Sequence, residues 1–255
     1  MTAFPAVFVS HGAPLLALED GPAHRFLRGF GEFLGRPRAI VVASAHWTTA
    51  APAVSSAAIP ATIHDFGGFP PALYQLGYPA AGDPVLAGRV ASLLAAAGIA
   101  CASDPDRGLD HGAWVPLMLM YPAADIPVLQ IALQPALGTR HHFALGHALA
   151  PLREDGVLIL GSGGATHNLR ELGAPDAPPP AWASAFSAWL EQTVAAGATE
   201  RLLDYRAQAP QAVRNHPSEE HLLPLLVAAG AGAPGRRVHT STTYGALLMD
   251  TYVFG

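Results

Sequence analysis

The chain has 255 residues, of which 51% are apolar and only 13% charged; this excludes a disordered or solvating chain and fits one large α/β domain spanning residues 1–255. The net charge is −5 and all 14 basic residues are arginines scattered without a run, so there is no electrostatic footprint for nucleic acid or an anionic membrane. A single cysteine, Cys101, excludes an internal disulfide framework and a Cys-rich zinc module, leaving histidine and carboxylate to hold any metal.

Residues 6–10 (AVFVS) read as a short buried strand, with His11 and the turn-forming Gly12 directly after it. The first twenty residues lack a basic start and an uninterrupted apolar run, and Glu19 and Asp20 come early, so no secretory signal is expected. Phe26, Leu27, Phe30 and Phe33 fall at helical spacing within 22–34. Residues 39–47 (AIVVASAHW), bounded by Pro37, are a second buried strand, with His46 expected just past its end. A right-handed βαβ crossover then brings His11 and His46 to the same sheet edge, where α/β folds keep their ligands.

A short strand at 53–57 leads into residues 62–82, which are dense in Gly, Pro and aromatics and too irregular for a simple connection; loops of this kind usually serve a site. Asp83 can cap a helix over 84–97 that Gly98 ends, a strand restarts at 99–102, and LDHGAW at 109–114 turns into a helix reaching 121. Residues 126–133 are another buried strand, 141–152 a helix, and 157–160 a strand opening into GSGGATHNL. Those glycines have neither the Walker lysine nor dinucleotide spacing, so no nucleotide site is assigned.

The Pro-rich segment 174–180 serves as a lid or a plain linker before a helix over 181–195, with Trp182, Phe186 and Trp189 on one face. Residues 202–213 look helical with an interruption at Pro210, 217–229 carry PSEEHLLPLLVAA, and 244–254 alternate as a strand at a sheet edge. The longest apolar stretch, 222–233, is too short and broken to span a membrane. Strands alternating with helices predict an α/β single domain: a central, mostly parallel mixed sheet flanked by helices, with a metal site at the C-terminal ends of the strands, in a soluble cytoplasmic protein.

Twelve histidines are the anomaly of the composition. His24, His141, His142, His147 and His239 lie in arginine-flanked or helical, surface-like contexts and read as bland. His11, His46, His111, His167 and His221 stand at turns or element ends in SHG, SAHW, DHG, THN and EEH. Any one of them alone is readily a hydrogen-bonded structural histidine. Two imidazoles just after buried strands, joined by a third imidazole or a carboxylate, would instead bind zinc or ferrous iron and leave positions free for substrate.

SHGAP at 10–14, SAHW at 44–47, TIHDFGGFP at 62–70, LDHGAW at 109–114, THNL at 166–169 and HPSEEHLLPL at 216–225 together resemble the class III extradiol ring-cleavage dioxygenases, specifically their 4,5-DOPA dioxygenase-like branch. The resemblance runs in register over nearly the whole chain. It implies a non-haem Fe(II) site that opens a catechol, DOPA-like or related, beside its paired hydroxyls with O2, giving a hydroxymuconic semialdehyde-type product. Zinc can occupy such a site in purified protein, because ferrous iron stands lower in the affinity order. The implied metal ligands are His11, His46 and His221; His167 is acid/base or a fourth metal neighbour; and His111 faces substrate and shares the proton transfers. His64, in a motif of this branch, is grouped with the substrate-binding residues.

Protocatechuate-type members end their ligand set with a glutamate, whereas the matching residue here is His221, next to Glu219 and Glu220. In a helix, adjacent side chains point about 100° apart, so His221 and Glu220 cannot both be ideal ligands, and His221 is preferred. Glu219 is expected to face solvent or to support a ligand. Trp47, Phe66, Phe69, Tyr74 and Trp114 could wall an aromatic slot, with Trp47 and Phe66 taken as substrate contacts, and Arg170 is the candidate for a substrate carboxylate. The implied partners are a small aromatic diol and O2, with neither nucleic acid nor membrane, for a monomer or small homo-oligomer. Competing readings are a zinc hydrolase that activates water with the same imidazoles and a non-catalytic binding protein on this fold. Retention of His167 and His111 beside the three implied ligands argues against the second.

Overall fold

The computed structural model describes residues 3–255. Ala6–Ser10 (β1) is buried throughout. Ala6 and Phe8 enter the core on one face of the sheet and Val7 and Val9 the core on the other. A strand covered on both faces needs no polar alternation, which is why it reads as a continuous apolar run. Ala39–Thr48 (β2) behaves alike, with Val41 and Ala43 in one core and Ile40 and Val42 in the other.

The remaining strands are Ala53–Ser55 (β3), Ala102–Asp104 (β4), Val128–Leu133 (β5), Val157–Gly163 (β6), Gly235–His239 (β7), Thr242–Thr243 (β8), Leu247–Leu248 (β9) and Thr251–Phe254 (β10). Eight of them form one sheet in the order β4-β3-β5-β2-β6-β1-β10-β7, and β8 and β9 form a small separate ribbon. The pairs β4–β3, β5–β2, β2–β6 and β6–β1 are parallel, while β3–β5, β1–β10 and β10–β7 are antiparallel. The mostly parallel mixed sheet predicted from the sequence is therefore present.

The helices are Pro22–Leu34 (α1), Pro84–Ala96 (α2), His111–Met120 (α3), Gly138–Leu149 (α4), Ala181–Ala195 (α5), Thr199–Leu203 (α6), Tyr205–Gln208 (α7), Ala212–Asn215 (α8) and Leu223–Gly232 (α9). α1 and α3 cover one face of the sheet, packing Leu27, Phe30, Trp114 and Leu117 against Val7, Val9, Ile40 and Val42. α2, α4, α5 and α9 cover the other. α2 has the cap its sequence predicts, since the Asp83 side chain accepts from the Leu86 backbone N–H. No helix among the described residues is long and apolar enough to cross a membrane.

Several expectations shift. The strand expected at 99–102 forms at Ala102–Asp104, and β2 continues through Thr48, so His46 lies inside the strand. The stretch 202–213 breaks into α6, α7 and α8, with Gln211 in the left-handed region at φ 56°. Residues 217–222 are turns and α9 starts only at Leu223, so His221 is not helical. β10 is not at an edge: it lies between β1 and β7, and β7 is the edge strand. The sequence of β7, GRRVH, is polar because an edge strand has less to bury.

Candidate metal centre and its cavity

Three parallel strands end beside one another, and the site stands on their C-terminal ends, as the sequence predicts. His11 follows β1, and its backbone N–H donates to Gly163 O at the end of β6 at 3.0 Å. Gly12 then turns the chain at φ 62°. Gly164 N–H donates to His221 O at 2.9 Å, and a Cβ at Gly161 or Gly163 would collide with the backbone of Pro224 or His221. The glycines of GSGG therefore let the turn before α9 lie against β6 and bring His221 to the site.

The imidazoles of His11, His46 and His221 each present a nitrogen within 4.8 Å of the others. Hydrogen bonding fixes two of the tautomers. The single hydroxyl proton of Ser162 is donated to Gly112 O, so Ser162 Oγ accepts from His11 Nδ1–H at 3.0 Å and His11 Nε2 carries the lone pair. His221 Nδ1–H donates to a Glu220 carboxylate oxygen at 3.0 Å, leaving Nε2 as the lone-pair atom. That Nε2 is buried without a hydrogen-bond partner, a costly state for a polar atom. His46 Nε2 lies 3.0 Å from His11 Nε2. This donor set fits a borderline divalent cation: three neutral imidazole nitrogens, one of them otherwise unsatisfied, with no protein hydrogen bond competing for it.

Electrostatics favour the neutral form. Burial lowers His11 well below the usual imidazole value, assisted by the neighbouring imidazoles. Burial takes His46 to about 4, with His111 adding to the effect. Burial also takes His221 to about 3, against the pull of its bond to Glu220. The same bond holds the Glu220 carboxyl at about 2.

Two further imidazoles flank this trio. His167 stacks on His221 with ring centroids 3.3 Å apart and planes 6° from parallel. It groups with Glu220 and His221 rather than with His11 and His46, and burial lowers its pKa. His111 is the first residue of α3, its ring centroid 3.9 Å from that of His46.

Asp65 and Asp110 position these residues, and sequence reading had not singled out either. Asp65 accepts from both the backbone N–H (2.9 Å) and Nδ1 (3.0 Å) of His111. Burial pushes the Asp65 carboxyl up, but the bonds from His111 outweigh it and hold the group at about 2. Asp110 is fully buried, caps α3, and accepts from Ser44 Oγ (2.6 Å), Gln130 Nε2 (2.7 Å) and Arg107 (2.5 Å), fastening the start of α3 to β2 just before His46. The only signal for either was its place beside a histidine, in HDF and LDHG.

The cavity over these imidazoles has a volume of about 350 Å³. His11, His46, His111, His167, His221, Phe66 and Phe69 line it, together with an apolar wall from Leu169, Leu172 and the C-terminal segment Leu247–Met249. Sequence reading missed that wall, having taken 244–254 as one strand. Of the other aromatic candidates, Trp47 is buried beneath the Arg107 guanidinium, and Trp114 is fully buried with Nε1 donating to Ile63 O. Tyr74 packs behind Phe66.

His64 donates through Nε2 to Leu76 O and packs edge-on against Phe66. The structure thus brings Phe66 and His111 to the cavity, but not His64 or Trp47. Arg170 is exposed and outside the lining. Glu219 accepts from Tyr205 OH at 3.0 Å, so Glu220 rather than Glu219 supports an imidazole. Residues following the cavity wall are pinned, since Gly173 N–H donates to Tyr244 O and Tyr244 N–H to Pro175 O.

Residues 5–254 match the family model described as the catalytic LigB subunit of aromatic ring-opening dioxygenase. The chain is 47% identical to 4,5-DOPA dioxygenase extradiol of Beta vulgaris, covering 97% of this chain and 95% of that protein. It is 42% identical to 4,5-DOPA dioxygenase extradiol of Escherichia coli (strain K12), covering 90% and 86%. A crystal structure of an uncharacterized protein from Escherichia coli K12 superimposes with a TM-score of 0.83 at 34% identity, over 99% of this chain and 100% of that one.

Proposed function

This chain belongs to the LigB family and is an extradiol ring-cleaving dioxygenase; from that premise we propose that it uses Fe(II), held by His11, His46 and His221, to open a catechol ring beside its paired hydroxyls. The observation that carries the ligand assignment is the convergence of three neutral imidazole nitrogens, with the His221 Nε2 buried and unsatisfied. Both atoms of O2 enter the product, a hydroxymuconic semialdehyde. DOPA, for which the relatives are named, is one such catechol.

Ferrous iron supplies the Lewis acidity that favours an ionised catechol and the redox chemistry that joins it to O2. The residues supply the rest. His167, kept neutral by burial, accepts a hydroxyl proton of the catechol and returns it to the departing oxygen. His111 donates Nδ1–H to Asp65, so its Nε2 is the lone-pair atom available to a substrate hydroxyl. Phe66 and Phe69 flank the ring, and the leucine-rich wall keeps water from it. His167 is assigned to proton transfer because it stands outside the set of His11, His46 and His221, although with Glu220 and His221 it forms a second group able to hold a cation.

The test is anaerobic reconstitution with Fe(II), followed by O2 addition across a panel of catechols. Stoichiometric O2 uptake with a yellow product, lost in His46→Ala, supports the reading. Bound iron without uptake on any catechol would transfer it to a zinc hydrolase or a binding protein.

A further inference from the structure

Taking the assignment of His167 to proton transfer in ring opening as its basis, we propose that His216 is a positioning residue for His167: together with Asn168, it fastens the loop that carries this base to the short segment that also carries His221. His216 is fully buried and does not line the cavity, so it touches neither substrate nor metal and reaches the reaction only through what it holds.

What it holds is the chain on both sides of His167. His216, the residue before Pro217, leaves α8 at φ −128° and ψ 83°, and the turns of 217–222 then present Glu220 and His221. The loop after β6 lies on this segment. His216 Nε2–H donates to Ala165 O at 3.0 Å, His167 N–H donates to Asn215 O at 2.9 Å, and Asn168 Nδ2 donates to Arg214 O at 2.7 Å. Ala165 N–H donates to Ser10 Oγ, beside His11, which ties the same loop to β1. The backbone of His167 is thereby fixed against the segment bearing His221, and the two rings stack with centroids 3.3 Å apart.

Packing alone does not call for an imidazole at this position. Its ring lies against Phe186 and Tyr205, with centroids 5.4 and 6.2 Å away, and among the described residues its Nδ1 has no hydrogen-bond partner. A buried ring with one bare nitrogen costs stability that an apolar side chain in the same aromatic surroundings would not. What the imidazole adds is one donor, aimed at the carbonyl two residues before His167. Proton transfer is sensitive to such placement: a shift of about 1 Å in a reacting group costs up to about 100-fold in rate.

In O2-uptake assays of the Fe(II)-loaded enzyme, His216→Leu should lower kcat and kcat/KM together by about 10- to 100-fold while metal content is retained. His216→Gln, whose amide can donate to the same carbonyl, should recover most of that loss. In a His167→Ala background, His216→Leu should cost less than about twofold, since the group it positions is gone. Asn168→Ala runs the same cycle from the other end of the loop should His216→Leu fail to fold. In the Zn(II)-loaded protein, the His167 ring should give one sharp set of NMR signals in the wild type and in His216→Gln, and a broadened or split set in His216→Leu. An equal cost with and without His167, a loss of metal in proportion to activity, or an unchanged His167 signal would overturn the proposal. If no catechol is turned over but the His167 signals respond as expected, the positioning role stands and the ring-opening reading fails.

Discussion

Asp65 grips His111 twice, one carboxylate oxygen accepting from the backbone N–H at 2.9 Å and the other from Nδ1 at 3.0 Å. One side chain thus sets both where α3 begins and which nitrogen of its first residue faces the cavity. The Asp65 carboxylate lies 3.6 Å from His46 Nδ1, too far for a hydrogen bond. Its main action is therefore on His111.

Asp65→Asn leaves one acceptor oxygen where two are used. The amide N–H₂ set against His111 Nδ1 would favour the other tautomer and put a proton on Nε2. We expect kcat to fall by about 10- to 100-fold, with metal content retained. Single-turnover kinetics alongside metal analysis checks this, and loss of metal in proportion to activity would show that Asp65 acts through His46 instead.

Glu220 and Glu219 are neighbours with different duties. Glu220 accepts the hydrogen bond of His221 Nδ1–H and leaves Nε2 bare, whereas Glu219 accepts from Tyr205 OH. Glu220→Ala should weaken Zn(II) or Co(II) binding by about 10- to 100-fold. Glu220→Gln, which keeps an acceptor oxygen, should lose less, and Glu219→Ala should change metal affinity little. Competition titration with a chelator reads all three; equal losses in the two alanine variants would remove the distinction.

His167 lies flat on His221, with centroids 3.3 Å apart. As a proton carrier it should be dispensable for metal binding and costly for turnover. His167→Ala should keep its metal while kcat falls by about 100- to 10,000-fold. A matching loss of metal would make His167 a ligand.

Legibility in the sequence followed the physics of each element. The bounds of β1, α1 and α5 match their expected ranges because apolar periodicity and flanking Pro or Gly report directly on burial and helix ends. The five histidines of the candidate site were legible because each stands in an unusual Gly-rich or polar setting at or near an element end, although β2 runs two residues past His46. Asp65 was not, since a carboxylate in an irregular Gly- and Pro-rich loop has no periodicity to mark it. Leu247–Met249 were hidden for another reason: only the pairing of β10 with β1, across the length of the chain, carries that wall to the site. His142 misled in the opposite direction. It sits beside Arg140 and His141 and reads as surface, yet it is fully buried, with Nε2 accepting from Gln134 N–H and Nδ1 bonded to Gly138 O.

That buried His142 gives a prediction about acid stability, with His216 as its companion. Burial takes both to about 4, opposed in each case by a bond to a backbone carbonyl. In the unfolded chain each titrates near 6.5. Between those values the unfolded state binds more protons, so stability rises with pH: it is complete above about 6.5 and is lost progressively as pH falls toward about 4. From about pH 7 to about pH 5 the loss is on the order of 2 kcal/mol per histidine. His142→Gln removes one titrating group while keeping a donor and an acceptor. Metal-free protein unfolded in urea should therefore lose about 2 kcal/mol less over this interval in the variant than in the wild type. The comparison isolates His142, because the imidazoles of the site contribute equally to both proteins. An identical loss in the two would mean that His142 is protonated in the folded state, against the hydrogen bond its Nε2 accepts from Gln134.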